Sequence, residues 1–208
     1  MDLRKLSFIV WLLLPSICFG QNKDNDPTEA TTDVSKVTII NPGLSYEKCV
    51  GKFVTVYGQA FLNFYFSASY SSTFGGNVNF GADPALTVQP RYYYNYKRME
   101  EKGRRTEMNS MNYLCVFFQS IFSKSSLSSD YIPETSRRPM NTIALCWGLQ
   151  RNLRKRFSVD LNIGPGYIFT RSTTYDFNGQ RITGTAGQFT FAGQFNVGFW
   201  LNRKRTSE

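Results

Sequence analysis

The chain has 208 residues, with 24 Lys and Arg against 15 Asp and Glu and a formal net charge of +9. Aromatic residues make up 16% of it, yet the mean hydropathy is negative, which argues against a bundle of membrane helices and suits a barrel with a polar interior. There is no histidine, so the usual general base and the commonest metal ligand are missing.

Residues 1–20 read as a cleaved signal peptide. Arg4 and Lys5 form the basic start, Leu6 to Leu14 a short apolar stretch, and Cys18 and Gly20 place small residues at −3 and −1. A lipoprotein acylated at Cys18 is the rival, but Ile17 is large for the position before a lipidated cysteine. No later stretch is apolar and long enough for a spanning helix, so an exported integral protein of this sequence must be a barrel. Export also argues against nucleic acid as the partner of the basic charge. Residues 21–35 are polar and read as a flexible N-terminal segment.

Residues 36–202 read as the barrel domain. Alternating stretches suggest strands at 36–47, 53–69, 85–96, 112–123, 141–150, 156–170 and 188–202. The clearest runs from Phe157 to Phe169, where Phe157, Val159, Leu161, Ile163, Pro165 and Tyr167 alternate with Ser158, Asp160, Asn162, Gly164 and Gly166. Such a run can cross a bilayer at a tilt, with the apolar row toward lipid and the polar row toward the lumen. The expected fold is all-β, an antiparallel up-and-down transmembrane barrel of eight strands. Seven are readable, which leaves the eighth near 24–36 or hidden around Asn41-Pro42-Gly43. Lys48–Lys52 and Arg151–Lys155 read as short turns, 97–111 as an intermediate connection on the same side, and 70–84, 124–140 and 171–187 as long outer loops. Residues 203–208 form a basic C-terminal tail. Gly164-Pro165-Gly166 reads as a bend within a strand, because no helix follows to make it a phosphate loop.

The segment RYYYNYKRMEEKGRRTEMNSMNYL, Arg91 to Leu114, resembles one found in small outer-membrane β-barrel proteins of the Bacteroidota. Tyr46-Glu47-Lys48 before a turn, and Trp147-Gly148-Leu149-Gln150-Arg151-Asn152 before a basic turn, are similar to elements of the same family. The resemblance spans most of residues 36–202 and implies barrel and location rather than an activity. The chain departs from the outer-membrane pattern at its end, where six polar residues follow Trp200-Leu201-Asn202 instead of a terminal aromatic.

Several side-chain groups stand out on this scaffold. Glu47, Arg91 and Asp160 fall on polar faces, so Arg91 is expected to pair with at least one of the two carboxylates inside a narrow lumen. Arg104, Arg105, Arg154, Lys155 and Arg156, with Lys97, Arg98, Lys102, Arg151, Arg203, Lys204 and Arg205, would form a basic collar at the periplasmic rim, facing phospholipid phosphates or the anionic cell wall. Solvated turns are the plain alternative for the same charges. Tyr92, Tyr94, Tyr96 and Trp147 point outward by phase and suit an interfacial aromatic girdle. Cys115 and Cys146 are both inward and centre a hairpin near 130–131, which makes them a candidate disulfide or two reduced fillers.

The chain therefore reads as a non-enzymatic outer-membrane protein without cofactor or metal. Its expected partners are outer-membrane lipids, the outer-membrane assembly machinery and an outside ligand or envelope protein met through the loops. A small pore ranks second. A lipid-modifying barrel enzyme ranks third, lacking a histidine for a Ser/His pair. A soluble lipocalin-like binder would invert the two faces.

Overall fold

A computed structural model describes residues 30–71, 75–124, 136–153, 155–175, 177–178 and 180–202. Eight strands, β1 (Val34–Ile40), β2 (Gly43–Gly51), β3 (Val54–Ser71), β4 (Gly75–Tyr92), β5 (Asn112–Ser123), β6 (Arg138–Asn152), β7 (Phe157–Tyr175) and β8 (Arg181–Trp200), form one closed antiparallel barrel in chain order. Among the described residues no helix is long and apolar enough to cross a membrane. Residues 1–29, with the expected signal peptide, most of the expected outer loop at 124–140, Arg154 and residues 203–208 lie outside the described residues.

The eighth strand comes from the interruption at Asn41. What reads as one strand over 36–47 is a hairpin, with Val34–Thr38 paired against Glu47–Gly43. Asn41 adopts φ of 55° and Pro42 follows, so the positive angle falls at the first central position of a tight hairpin turn. Thr38 Oγ1 donates to the Asn41 carbonyl at 2.7 Å and closes it. Gly43 is required here, since a Cβ would run into the Ala60 carbonyl oxygen of β3.

Two expected outer loops are mostly strand. β3 and β4 stay in register out to Ser71↔Gly75, and β7 and β8 out to Tyr175↔Arg181. The Gly, Ser and Asn of 70–84 and 171–187 have weak β-propensity, but a hairpin partner overrides it. At the other end the 97–111 connection contains a short helix, α1 (Tyr96–Glu101), and a 3₁₀ turn at Glu107–Asn109. Pro165 lacks an N–H, and the β6–β7 ladder skips its row between Ala144↔Gly166 and Trp147↔Ile163. Gly164 permits the close approach there, because a Cβ would strike the Leu145 carbonyl.

Register partners taken around the wall from Lys36 run through Ser45, Gln59, Thr87, Gln119, Thr142 and Ile168 to Gln188. Lys36 itself pairs with Trp200, so one circuit shifts the chain by 12 residues. Such a stagger tilts the strands by about 45° and widens the lumen relative to a less sheared eight-stranded barrel.

Along β7 the alternation sorts as the sequence suggests. Ser158, Asp160, Asn162 and Gly164 are buried, while Ile163, Pro165 and Tyr167 are exposed and Phe157, Val159 and Leu161 half-exposed. Around the barrel an apolar row is exposed on the outer face: Leu44, Val56, Leu62, Leu86, Val88, Leu114, Leu145 and Phe191. Aromatic pairs mark two levels. Phe157 meets Phe199 near the short-turn end, and ten residues further along both strands Tyr167 meets Phe189. At the barrel's tilt these levels are about 23 Å apart.

The N-terminal segment is tied down from Ala30 onward rather than loose. Thr31 is buried and donates to the Gly51 carbonyl at 3.0 Å, and the Thr32 backbone exchanges two 2.8 Å hydrogen bonds with the Asn109 side chain. Asp33 accepts from the Cys49 N–H (2.8 Å), Tyr46 OH (2.8 Å) and Lys48 Nζ (2.7 Å). Partial burial alone would raise its carboxyl pKa, but the bonds from Lys48, Cys49 and Tyr46 outweigh it and hold the group below its usual value. A carboxylate depressed in the folded state stabilises above its unfolded pKa, and that contribution disappears as pH falls through the lower folded value. Acidification from about pH 5 to about pH 2 should therefore lower the protection of the Cys49 amide, read as its exchange rate relative to the intrinsic rate at each pH, while Asp33→Ala should leave it weakly protected at every pH. Equal acid dependence in both proteins would contradict this anchor.

Candidate functional site

The lower lumen is filled by a polar network centred on Arg91, which β4 points inward by its period of two. Arg91 Nη1 donates to Asp160 Oδ2 and to Gln150 Oε1, each at 2.8 Å. Its Nε and Nη2 both donate to Gln89 Oε1, at 3.0 and 2.7 Å. The guanidinium plane lies between two rings, 3.9 Å from the Tyr57 centroid and 4.3 Å from that of Tyr113. Arg91 thus combines paired charge, directed hydrogen bonds and cation–π contact, a set of interactions a lysine cannot reproduce.

Both carboxylates are satisfied by other partners as well. Glu47 Oε1 accepts from Thr55 (2.7 Å) and from Tyr93 OH (2.6 Å), while Oε2 accepts from Gln150 Nε2 at 3.1 Å and lies 3.9 Å from Arg91. Asp160 Oδ1 accepts from Tyr113 OH at 2.6 Å. Lys36 is a second buried cation, its Nζ 4.0 Å from Asp160 Oδ2 and without a hydrogen-bond partner. Two cations therefore face two carboxylates in this layer, and a third buried carboxylate, Asp83, lies farther along β4. An amide chain extends the network upward. Gln89 donates to Gln194 (3.1 Å), and Gln194 and Asn196 donate to Gln59 Oε1 (2.9 and 3.1 Å).

Beneath this network the barrel has a floor. Tyr93, Met111, Trp200 and Asn109 are buried there, with Trp200 Nε1 donating to the Leu153 carbonyl at 3.1 Å. Asn152 Nδ2 donates to the Met108 carbonyl. Above the network Phe61, Phe117, Ala144 and Ala192 are buried in turn. Floor, charged layer and apolar layer follow one another along the axis with all of these side chains enclosed.

The structure thus brings Glu47, Arg91 and Asp160 into one cluster. Sequence reasoning missed Tyr57, Tyr93, Tyr113, Gln150 and Lys36. Lys36 was recoverable, since polar Lys36 and Thr38 alternate with apolar Val37 and Ile39 in the sequence, and the structure buries the first pair and exposes the second. The tyrosines were not, because phenol groups look apolar to a pattern of hydrophobicity while their hydroxyls serve the carboxylates.

Tyr92, Tyr94 and Trp147 are exposed on the outer face, and Trp147 Nε1 donates to Tyr94 OH at 2.7 Å. Tyr96 departs from that row. It opens α1, is half-buried against Phe53, and donates to Glu100. Lys97, Arg98, Lys102, Arg104, Lys155 and Arg156 are exposed at the short-turn end, whereas Arg105 is partly enclosed and bridges Glu107 at 3.1 Å. Cys115 and Cys146 stand opposite one another in register, as expected, but both are free thiols. The two thiols are in contact with each other, and Cys146 Sγ also lies 3.9 Å from the Ala192 carbonyl on β8. Among the described residues there is no group of His, Cys, Asp and Glu that could hold a metal ion.

Comparison with models of known protein families, with curated proteins and with solved structures returns no match.

Arg91→Ala should destabilise the barrel by about 3–5 kcal/mol, because it leaves Asp160 enclosed without its cation. Arg91→Lys should fall between the two, keeping charge but losing the fork and the stacking. Urea unfolding in detergent micelles measures both, and a loss below about 1 kcal/mol for the alanine variant would contradict the network's role.

Proposed function

We propose that this chain is an integral outer-membrane β-barrel with a structural or loop-mediated binding role, acting without catalysis. The observation that carries the reading is the inversion of a soluble protein's faces. Charged and amide side chains fill the inside, while Leu, Val, Ile and Phe cover the outside. A water-soluble barrel so arranged would expose its apolar wall, whereas a bilayer rewards it. The two aromatic levels, about 23 Å apart, match the height of the apolar band in barrels of this kind.

The basic residues give this reading its direction. Exposed Lys97, Arg98, Lys102, Arg104, Lys155 and Arg156 share the end that carries the short turns, the end such barrels turn to the periplasm. There they would meet phospholipid phosphates or the anionic cell wall, each cation contributing about 1 kcal/mol near such a surface. The projecting β3–β4 and β7–β8 hairpins would then face outside. A conducting pore is disfavoured by the stacked floor and network, which enclose Arg91, Glu47, Trp200 and Tyr113.

Membrane extraction and planar-bilayer recording test the reading together. The protein should require detergent for extraction, migrate faster unboiled than boiled, and give no conductance steps. Release by alkaline carbonate would reject the membrane location, and reproducible ion steps would favour the pore.

A further inference from the structure

The wall of the barrel is unequal in height, and this leaves a slot. β1 and β2 hold 7 and 9 residues, whereas their outer neighbours β8 and β3 hold 20 and 18. Pairing of β8 with β1 stops at Val197↔Ile40, and pairing of β3 with β2 at Phe61↔Gly43. Two side-by-side contacts cap the break, Asn41 Nδ2 to the Phe195 carbonyl (3.1 Å) and the Leu62 N–H to the Pro42 carbonyl (3.0 Å). Beyond them Ile182–Gln194 pairs only with β7, and Asn63–Ser71 only with β4, among the described residues.

An unpaired edge is a liability that proteins guard with charge or proline. This molecule guards its other high edges. β4 carries Asp83-Pro84 just beyond its last partner on β5, β6 begins with Arg138-Pro139, and β7 carries Arg171 just beyond Thr170. The two edges of the slot carry neither below the tip of β8, where Arg181 stands. Asn63–Ser71 reads NFYFSASYS and Ile182–Gln194 reads ITGTAGQFTFAGQ, without a charge or a proline. Along β8 from Ile182 to Phe189 both faces are exposed, and Phe189 and Phe191 are 90% and 80% exposed beside the missing wall.

We propose that the slot between β3 and β8, above Asn41-Pro42, is a strand-addition site for an uncharged β-hairpin of another polypeptide. An acyl chain could cover Phe189 and Phe191, but it has no donors or acceptors for the backbone edges. Two strand positions are vacated, about 14 Å from β3 to β8, so a single strand would satisfy only one edge. Direction completes the fit. β3 rises from the short-turn end and β8 returns to it, so an antiparallel hairpin entering from the open end descends along β3, turns over Asn41-Pro42 and ascends along β8. Outward positions of that hairpin would be apolar, continuing the row of Leu62, Phe64, Phe189 and Phe191. The inference rests on the strand pairing and stands whether or not the barrel lies in a membrane.

The test is amide hydrogen exchange of the full chain in detergent micelles, with a synthetic hairpin of two Thr/Val-alternating strands joined by Asn-Gly as the probe. Exchange within Ile182–Gln194 and Asn63–Ser71 should slow at least about tenfold, with no change in β5 or β6. A peptide of the same composition interrupted by prolines should leave it unchanged. Thr183→Lys/Thr185→Lys, which places charge at the exposed edge, should abolish the effect while keeping heat-modifiable migration. No slowing at the highest soluble peptide concentration, or equal slowing by the interrupted peptide, would overturn the proposal. So would edges already protected without peptide in proportion to protein concentration, which would make a second copy the occupant.

Discussion

Four of the five charged side chains buried among the described residues, Lys36, Glu47, Arg91 and Asp160, meet in one layer of a lumen a few side chains wide, and Arg91 is where they are reconciled. A guanidinium offers five donors in one plane, and here the plane is held between Tyr57 and Tyr113 while its edge reaches Asp160, Gln150 and Gln89. An ion pair enclosed in this way loses its hydration, and attraction offsets that loss only when the remaining lone pairs are also occupied. Thr55, Tyr93 and Gln150 occupy those of Glu47, and Tyr113 occupies Asp160. These groups come from β2, β3, β4, β5, β6, β7 and the connection after β4, so the network ties opposite walls of the barrel as well as filling it.

The wide stagger makes such a filling necessary. A strongly sheared eight-stranded wall leaves room for rings and long amides, and Tyr57, Tyr93, Tyr113, Gln59, Gln89 and Gln194 take it up. Their polar ends turn to one another because the inside is polar. The outside can then be largely apolar without leaving the chain short of a hydrophobic interface, provided a bilayer supplies one. The short β1–β2 hairpin belongs to the same design. It carries Lys36 and Glu47 into the charged layer and stops once that layer and its amide extension are enclosed, while the two long hairpins continue past it.

How much of this was legible depended on which signal each element carried. Period-two alternation marked β7 from Phe157 onward and placed Asp160 and Asn162 inside, because burial on one face is what alternation records. The same logic placed Arg91 and Glu47. It failed at Asn41-Pro42, where the inward phase switches from even positions (Lys36, Thr38) to odd ones (Ser45, Glu47) across a two-residue turn, and the adjoining apolar pair Ile39-Ile40 blurs the switch. It failed again where strands are built from Gly, Thr and Ser, as in β8 from Arg181 to Gln188, whose pairing with β7 is a long-range fact. Helix α1 was hidden by the YYYNY run before it, which reads as strand until Asn95 turns the chain. The tyrosines of the charged layer could not be named from one sequence, because their role depends on which strands stand opposite.

The central claim is that this wall faces apolar side chains outward and polar ones inward, and a spin-label scan of β7 addresses it directly. Single cysteines at Phe157, Ser158, Val159, Leu161, Asn162 and Ile163, in a background with the native cysteines replaced, would carry the label in reconstituted vesicles. Labels at 157, 159, 161 and 163 should be accessible to oxygen dissolved in the lipid, and those at 158 and 162 immobilised and inaccessible. High oxygen accessibility at 158 and 162, with 157 to 163 protected at the odd positions, would contradict the account.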